Sequence, residues 1–141
     1  MQELIKKQWT SGSGKGFSFD EIVNILNLYV RNGAKIFIGT DSFIANKKVC
    51  FASALCLHGK NNSGRYFFIK ENIPNKMYKN LSARITEEAR RSVEIGCYLM
   101  DKHLFEPSNI ELHLDISPFS AGNATSKFSD MLKGYVQGFG F

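Results

Sequence analysis

Hydrophobic and polar residues alternate along this chain in patterns that predict three helices and four strands. The first helix is predicted after residue 17, where a capping sequence, Ser18–Glu21, precedes apolar residues at helical spacing. The longest helical pattern runs from Leu81 to Met100, and a final helix is predicted from about Thr125 to Gln137. The apolar positions and the stop signal of the first helix are Ile22, Ile25, Leu26, Tyr29 and Asn32-Gly33.

Four strands are predicted between these helices. The run from Ala34 to Asp41 is apolar until its last residues, which is typical of a strand covered on both faces. The second strand, Val49–His58, alternates large and small side chains, which indicates a sheet with helices close on one side. The third strand, Arg65–Ile73, follows a polar turn and is expected to pair with the second as a hairpin. The fourth strand is predicted from Asn109 to Ile116.

The order of these elements predicts an α/β fold in which one mixed sheet carries helices on its faces. A length of 141 residues suits a single domain. We expect an N-terminal arm over residues 1–17 and one domain over residues 18–141. The Gly/Ser-rich segment Ser11–Gly16 is predicted to be a flexible hinge between them.

Composition narrows the class of protein. The chain is 43% hydrophobic and 22% charged, which excludes a disordered or low-complexity sequence. No apolar run approaches the ~18–20 residues that span a bilayer, and the N-terminus lacks the apolar core of a secretory signal. We therefore expect no membrane contact. Cys50, Cys56 and Cys97 form no C-x-x-C pair, which favours reduced thiols in a cytoplasmic protein.

Charge favours a polyanionic partner. Eighteen lysines and arginines against thirteen acids give a net charge of +5. Between residues 60 and 91, cations are interleaved with aromatic residues, which suits phosphate contacts and base stacking in nucleic acid. The alternative is a solvated hairpin whose aromatic side chains belong to the core, as alternation requires for either Phe67 or Phe68. The interleaved aromatic residues are Tyr66, Phe67, Phe68 and Tyr78.

Three carboxylates stand out from the solvated acids. Asp41 and Asp115 each end an apolar strand, where an ionised carboxylate is costly unless it is paired or holds a metal. A turn or cap aspartate just past the strand is the alternative role. On the long helix, Glu88 lies about 60° from the centre of the apolar arc, whereas Glu87 lies about 160° away and is expected to be solvated. Asp41, Glu88 and Asp115 are therefore expected to converge at one edge of the sheet.

Like charges packed this closely repel, and a hard divalent cation relieves the repulsion. We predict that Asp41, Glu88 and Asp115 bind Mg²⁺ or Mn²⁺ and are the catalytic residues of a phosphodiester-hydrolysing site. The candidate substrate-binding residues are Thr40, Ser42, Arg84, Asn123 and Lys127.

Several segments together resemble one family. The stretch Ile38–Ser42, which reads IGTDS, resembles the signature of the YkuK-type ribonuclease H-like proteins. Gly16–Val23 is similar to the start of the family's first helix, and Glu88–Ser92 is similar to its E-x-x-x-S helix. His113–Ile116 resembles its fourth-strand motif, and Asn123–Phe141 resembles its final-helix region. The resemblance covers residues 17–141.

The resemblance implies a ribonuclease H-like fold with three antiparallel strands followed by parallel ones. It also implies that Asp41, Glu88 and Asp115 hold the metals, and that the chain is a metal-dependent nuclease whose partner is RNA, DNA or their hybrid. Two alternatives stay open. One is a catalytically inactive nucleic-acid-binding or assembly module that keeps the fold, and the other is a small phosphoryl hydrolase acting on nucleotides.

The C-terminus departs from the family pattern. Similar proteins continue with a fifth strand and a further helix that carry a fourth site residue, whereas this sequence stops at Phe141. We therefore expect either a C-terminally truncated domain that lacks these elements or a short natural form with an incomplete site. Phe139 and Phe141 are expected to be exposed.

Overall fold

The structure, a computed structural model, describes residues 1–59, 64–114 and 123–141, with the backbone alone for residues 123–128. The helices are α1 (Gln2–Lys6), α2 (Phe19–Arg31), α3 (Leu81–His103) and α4 (Asn123–Gly138). The strands are β1 (Trp9–Ser11), β2 (Gly16–Phe17), β3 (Lys35–Ala45), β4 (Lys48–His58), β5 (Gly64–Pro74) and β6 (Ile110–His113). Two short 3₁₀ turns cover Asn75–Met77 and Pro107–Asn109.

The described strands form one mixed sheet in the order β2-β1-β5-β4-β3-β6. Strands β3, β4 and β5 are antiparallel neighbours, and β6 is parallel to β3 with Gly39 opposite His113. A parallel pair needs a long crossover, which α3 supplies between β5 and β6. The predicted sheet of three antiparallel strands followed by a parallel one is thus confirmed.

The hydrophobic core lies on the face of the sheet that α2 and α3 cover. Ile36 and Ile38 of β3 and Leu55 and Leu57 of β4 are buried there. The alternation on β4 therefore predicted the core face correctly. Between Cys50 and Cys56 the other face of β4 carries only small side chains, and this face is described with the site below.

Local signals predicted the helix ends well. The Ser18 hydroxyl accepts a hydrogen bond from the Glu21 amide at 3.2 Å, and the Glu21 carboxylate accepts one from the Ser18 amide at 3.2 Å, so the capping box is confirmed. Helix α4 begins at Asn123 and ends at Gly138, close to the predicted bounds. Strand β6 begins at Ile110 and ends at His113, and residues 115 and 116 of the predicted strand lie outside the described residues.

The N-terminal segment is part of the sheet. The expected flexible hinge at Ser11–Gly16 is wrong, because this segment is the turn of the β1–β2 hairpin, in which the Ser11 amide donates to the Lys15 carbonyl at 2.8 Å. Strand β1 also pairs with β5. The physical reason is Trp9, which is fully buried beside Phe19 and donates from Nε1 to the Leu4 carbonyl at 3.1 Å.

The predicted solvation of Glu87 is wrong. Glu87 is 8% exposed and accepts hydrogen bonds from Arg90 at 2.6 Å and from Arg91 at 2.8 Å. Arg91 in turn reaches Glu71 of β5 and lies 4.5 Å from the centre of the Phe51 ring. The two arginines neutralise the buried carboxylate, and the network fixes α3 to the sheet.

We expect this network to make stability depend on pH. Burial raises the pKa of Glu87, but the hydrogen bonds and charges of Arg90 and Arg91 outweigh burial and hold the pKa below its usual value. The folded protein therefore gains stability that is complete above about pH 4.5 and is lost as pH falls through the lowered pKa.

Arg91→Met should accordingly lower the free energy of unfolding by roughly 3 kcal/mol at neutral pH, because it breaks a buried ion pair. Urea unfolding across the acid range should show the difference from the wild type shrinking below about pH 4. An equal difference at every pH would contradict this account.

The expected exposure of the last aromatic residues is half right. Phe139 is 46% exposed, as predicted. Phe141 is half-buried, and its ring lies where a side chain at Gly96 would be, 2.6 Å from the position of a Cβ. The ring packs on α3 because Gly96 has no side chain.

Candidate metal and nucleic-acid site

The end of β3 presents residues to both faces of the sheet. Successive side chains of a strand point to opposite faces, so Thr40 and Ser42 face α3 while Asp41 faces away from it. Thr40 is buried, Ser42 is half-buried and Asp41 is exposed. The IGTDS segment thus divides its polar groups between two surfaces.

Three hydroxyl groups join β3, β4 and α3. Thr40 Oγ1 lies 2.9 Å from Ser53 Oγ and 2.9 Å from Ser92 Oγ, and all three residues are buried. Each hydroxyl has a partner, so the cluster costs little and fixes the register of α3 on the sheet. The sequence singled out Ser92 only within the Glu88–Ser92 segment, and it predicted no contact for Ser92 or Ser53. The signal was a serine within the otherwise apolar face of β4.

Glu88 faces the sheet, as its angular position on the helix predicts. It is 8% exposed, and its Oε2 accepts a hydrogen bond of 2.5 Å from the Ser42 hydroxyl. Ser42 therefore orients the Glu88 carboxylate at the end of β3.

Asp41 and Glu88 both approach the end of β6. Asp41 lines an open cavity of about 760 Å³ on the outer face of the sheet, and Glu88 lines a small one between the sheet and α3. His113 and Leu114 line both cavities, so the two carboxylates approach this strand end from opposite faces of the sheet. The predicted convergence of the three carboxylates stays a prediction. Asp115 follows Leu114 in the chain but lies outside the described residues.

Arg84 precedes Glu88 by one helical turn and therefore lies on the same face of α3. Its Nε is buried and has no hydrogen-bond partner among the described residues. A buried guanidinium nitrogen of this kind suits an anionic oxygen. Asn123 and Lys127 lie on α4, but their side chains are outside the described part, and their predicted contacts remain predictions.

Within the described ranges, no group of three or more His, Cys, Asp or Glu side chains is placed to hold a metal ion. Those ranges contain two of the three predicted ligands, Asp41 and Glu88. Carboxylate oxygens are hard donors, and with the Ser42 hydroxyl they suit Mg²⁺ or Mn²⁺ better than a soft metal. The oxygen donors of Asp41 and Glu88 are thus of the type that the predicted ion prefers. Binding of an ion by all three carboxylates remains a prediction.

The basic and aromatic segment divides between the two faces of the sheet. Phe67 is fully buried in the core, and the Arg65 guanidinium lies 5.2 Å from the centre of its ring. Tyr66 and Phe68 point to the outer face, where Tyr66 is 48% exposed. The core interpretation is thus confirmed for Phe67, whereas Tyr66 and Phe68 belong to an open surface, and nucleic-acid binding by this segment stays a prediction.

Two other sequence expectations concern the protein's surroundings. None of the helices in the described ranges is long and apolar enough to cross a bilayer. Cys50, Cys56 and Cys97 are free thiols.

The antiparallel β3–β5 meander, the crossover helix α3 and the parallel strand β6 define the ribonuclease H-like class of α/β proteins. A family model described as Ribonuclease H-like matches residues 18–141. The chain therefore belongs to the ribonuclease H-like family, and the resemblance to its YkuK-type members is confirmed. No curated protein and no solved structure matches the chain.

Proposed function

We propose that the protein is a divalent-metal-dependent nuclease that hydrolyses phosphodiester bonds of RNA or DNA. The observation that carries the proposal is the buried Glu88 carboxylate, which the Ser42 hydroxyl orients at the end of β3, next to Asp41 in the chain. Asp115 follows the end of β6 by two residues, and together with Asp41 and Glu88 it would hold Mg²⁺ or Mn²⁺. Membership of the ribonuclease H-like family supports this proposal.

The chain's own residues would prepare the site. Ser42 holds the Glu88 carboxylate in one orientation, which lowers the cost of ordering it around an ion. The hydroxyl cluster of Thr40, Ser53 and Ser92 fixes the helix that carries Glu88 to the strand that carries Asp41. When bound, the metal would supply the Lewis acidity that activates a water molecule and stabilises charge on the phosphoryl oxygens.

Substrate contacts would come from neighbouring polar and cationic groups. The Nε of Arg84, which has no partner in the described part of the chain, is one turn from Glu88 and is suited to a phosphate oxygen. Lys127 and Asn123 on α4 are proposed to contact the same nucleic-acid strand as Arg84. The net charge of +5 would favour association with the polyanion.

The test is incubation of labelled RNA, DNA and hybrid duplexes with the protein in Mn²⁺ or in EDTA. We expect cleavage in Mn²⁺ and none in EDTA. Asp41→Asn, purified in the same way, is expected to retain its fold and to lose cleavage, because it keeps the side-chain volume but loses the ionised donor.

Cleavage by both proteins at equal rates would identify a contaminant and contradict the proposal. Cleavage by neither, with nucleic-acid binding intact, would instead establish the binding or assembly module. Turnover of mononucleotides alone would establish a small phosphoryl hydrolase.

A further inference from the structure

The outer face of the sheet carries an open trough with aromatic walls. Three rows of residues cross β3, β4 and β5, and in each row the middle residue is small. The rows are Phe37–Cys56–Tyr66, Gly39–Ala54–Phe68 and Asp41–Ala52–Lys70. These residues line the cavity of about 760 Å³, and Asp41 closes one end of it.

The walls consist of paired rings. On one side, Phe37 lies 5.0 Å from the His113 ring, measured between centroids. On the other side, Tyr66 and Phe68 lie 6.3 Å apart with an angle of 29° between their planes, so they present nearly parallel rings along β5. An open sheet face that carries several aromatic rings is typical of an interaction site.

The dimensions suit a flat, unpaired base. Strands β3 and β5 are two strand spacings apart, about 9.5 Å, which leaves space between the walls for one ring system. Successive rows are two residues apart, about 6.8 Å, so each row has its own place along the strands. Between the walls, Gly39 and Ala54 are small and leave the trough deep. Burial raises the pKa of the Cys56 thiol, so this part of the trough is uncharged.

At the end of the trough near Asp41, the sheet carries cations that are complementary to a phosphate backbone. The Lys70 ammonium lies 5.8 Å from the centre of the Phe68 ring, at the row that also holds Asp41. Of the other charges that the strand registers place on this face, Lys48 is cationic and Glu111 is paired with Lys35 at 3.3 Å. An anionic strand lying on the rings would therefore meet cations beyond them.

We infer that the trough binds single-stranded nucleic acid, stacks its bases on Tyr66, Phe68 and Phe37, and leads its backbone towards Asp41. Stacking on aromatic side chains tolerates any base, because every base has a π face. A duplex hides those faces, so single strands are the favoured class of substrate. The choice of a nucleic-acid partner rests on the proposed function. The inference adds that the partner is single-stranded and that the trough is the surface that binds it.

The test is fluorescence anisotropy with short fluorescein-labelled oligo(dT) and oligo(U) in EDTA, which prevents cleavage. We expect Tyr66→Ala to weaken binding about tenfold by loss of one stacking partner. A duplex made from the same oligonucleotide should bind at least about tenfold more weakly than the single strand. Lys70→Gln should lower the slope of log K against log salt by about one, as removal of one phosphate contact requires.

The matched control is Tyr135→Ala. Tyr135 of α4 is 40% exposed, and its ring centroid lies 5.2 Å from that of Phe139. Tyr135 lies outside the trough, so the same change should leave binding at the wild-type level. Circular dichroism establishes that each variant is folded. Lys70→Gln changes an exposed side chain, so it tests the surface even if Tyr66→Ala is unstable.

Equal affinity of Tyr66→Ala and the wild type, together with an unchanged salt slope in Lys70→Gln, would overturn the inference. Equal binding of duplex and single strand would also overturn it. A dimer in light scattering that Tyr66→Ala abolishes would identify a second copy of the chain as the occupant and contradict it. Oligonucleotide binding through the trough without cleavage in Mn²⁺ would leave this inference standing and reject the nuclease proposal.

Discussion

Replacing Glu88 with Gln is expected to lower metal-dependent cleavage at least about 1,000-fold, or roughly 4 kcal/mol in transition-state stabilisation. Gln has nearly the same volume, and its amide oxygen still accepts the Ser42 hydrogen bond, so the buried site should fold as before. What is lost is the negative charge that we propose as a metal ligand. Initial rates on labelled RNA and DNA in Mn²⁺ measure the effect.

Two further variants separate the charge of Glu88 from its surroundings. Ser42→Ala leaves the charge and removes the hydrogen bond that orients it, so a loss of about tenfold is expected. Glu3→Gln makes the same chemical change at an exposed residue of α1 and should cleave at the wild-type rate. Retention of the wild-type rate by Glu88→Gln would contradict the proposed role.

Replacing Trp9 with Ala is expected to lower the free energy of unfolding by about 3–5 kcal/mol, which is the loss typical of a large buried ring. Trp9 is fully buried, and its Nε1 donates to the Leu4 carbonyl at 3.1 Å. Its ring also packs on Phe19, whose centroid lies 5.7 Å away. Urea unfolding followed by far-UV circular dichroism measures the change, since Trp9 is the chain's one tryptophan.

Trp9→Phe is the matched variant, because it keeps an apolar ring and loses the hydrogen bond. Its expected loss is smaller, on the order of 1–2 kcal/mol. A Trp9→Ala protein as stable as the wild type would mean that residues 1–17 are an independent arm, contrary to the packing described above.

The elements of the fold were predictable where local physics decides them. The Ser18–Glu21 capping box and the large and small faces of β4 need only short-range information, and both are confirmed. The segment Ser11–Gly16 misled us because its Gly/Ser composition is typical of a flexible hinge. Strand β1, which leads into this turn, pairs with β5 more than 50 residues away in the chain, and no local pattern encodes that pairing.

The candidate site was predictable in part for the same reason. The angular position of Glu88 follows from the helical repeat, so its direction towards the sheet was predicted correctly. Burial of Glu87 was not, because it depends on Arg91 reaching Glu71 on a different element. The contacts of Thr40 with Ser53 and Ser92 required the register of three elements and were likewise beyond the sequence.

Binding of Mn²⁺ itself tests the central claim most directly, since it needs neither substrate nor turnover. Electron paramagnetic resonance titration of the wild type, Asp41→Asn, Glu88→Gln and Asp115→Asn measures free Mn²⁺ at each step. We predict that the wild type binds Mn²⁺ and that each substitution weakens binding at least about tenfold, because each removes one charged oxygen donor. Wild-type affinity in any of the three variants would contradict joint binding of the ion by these carboxylates.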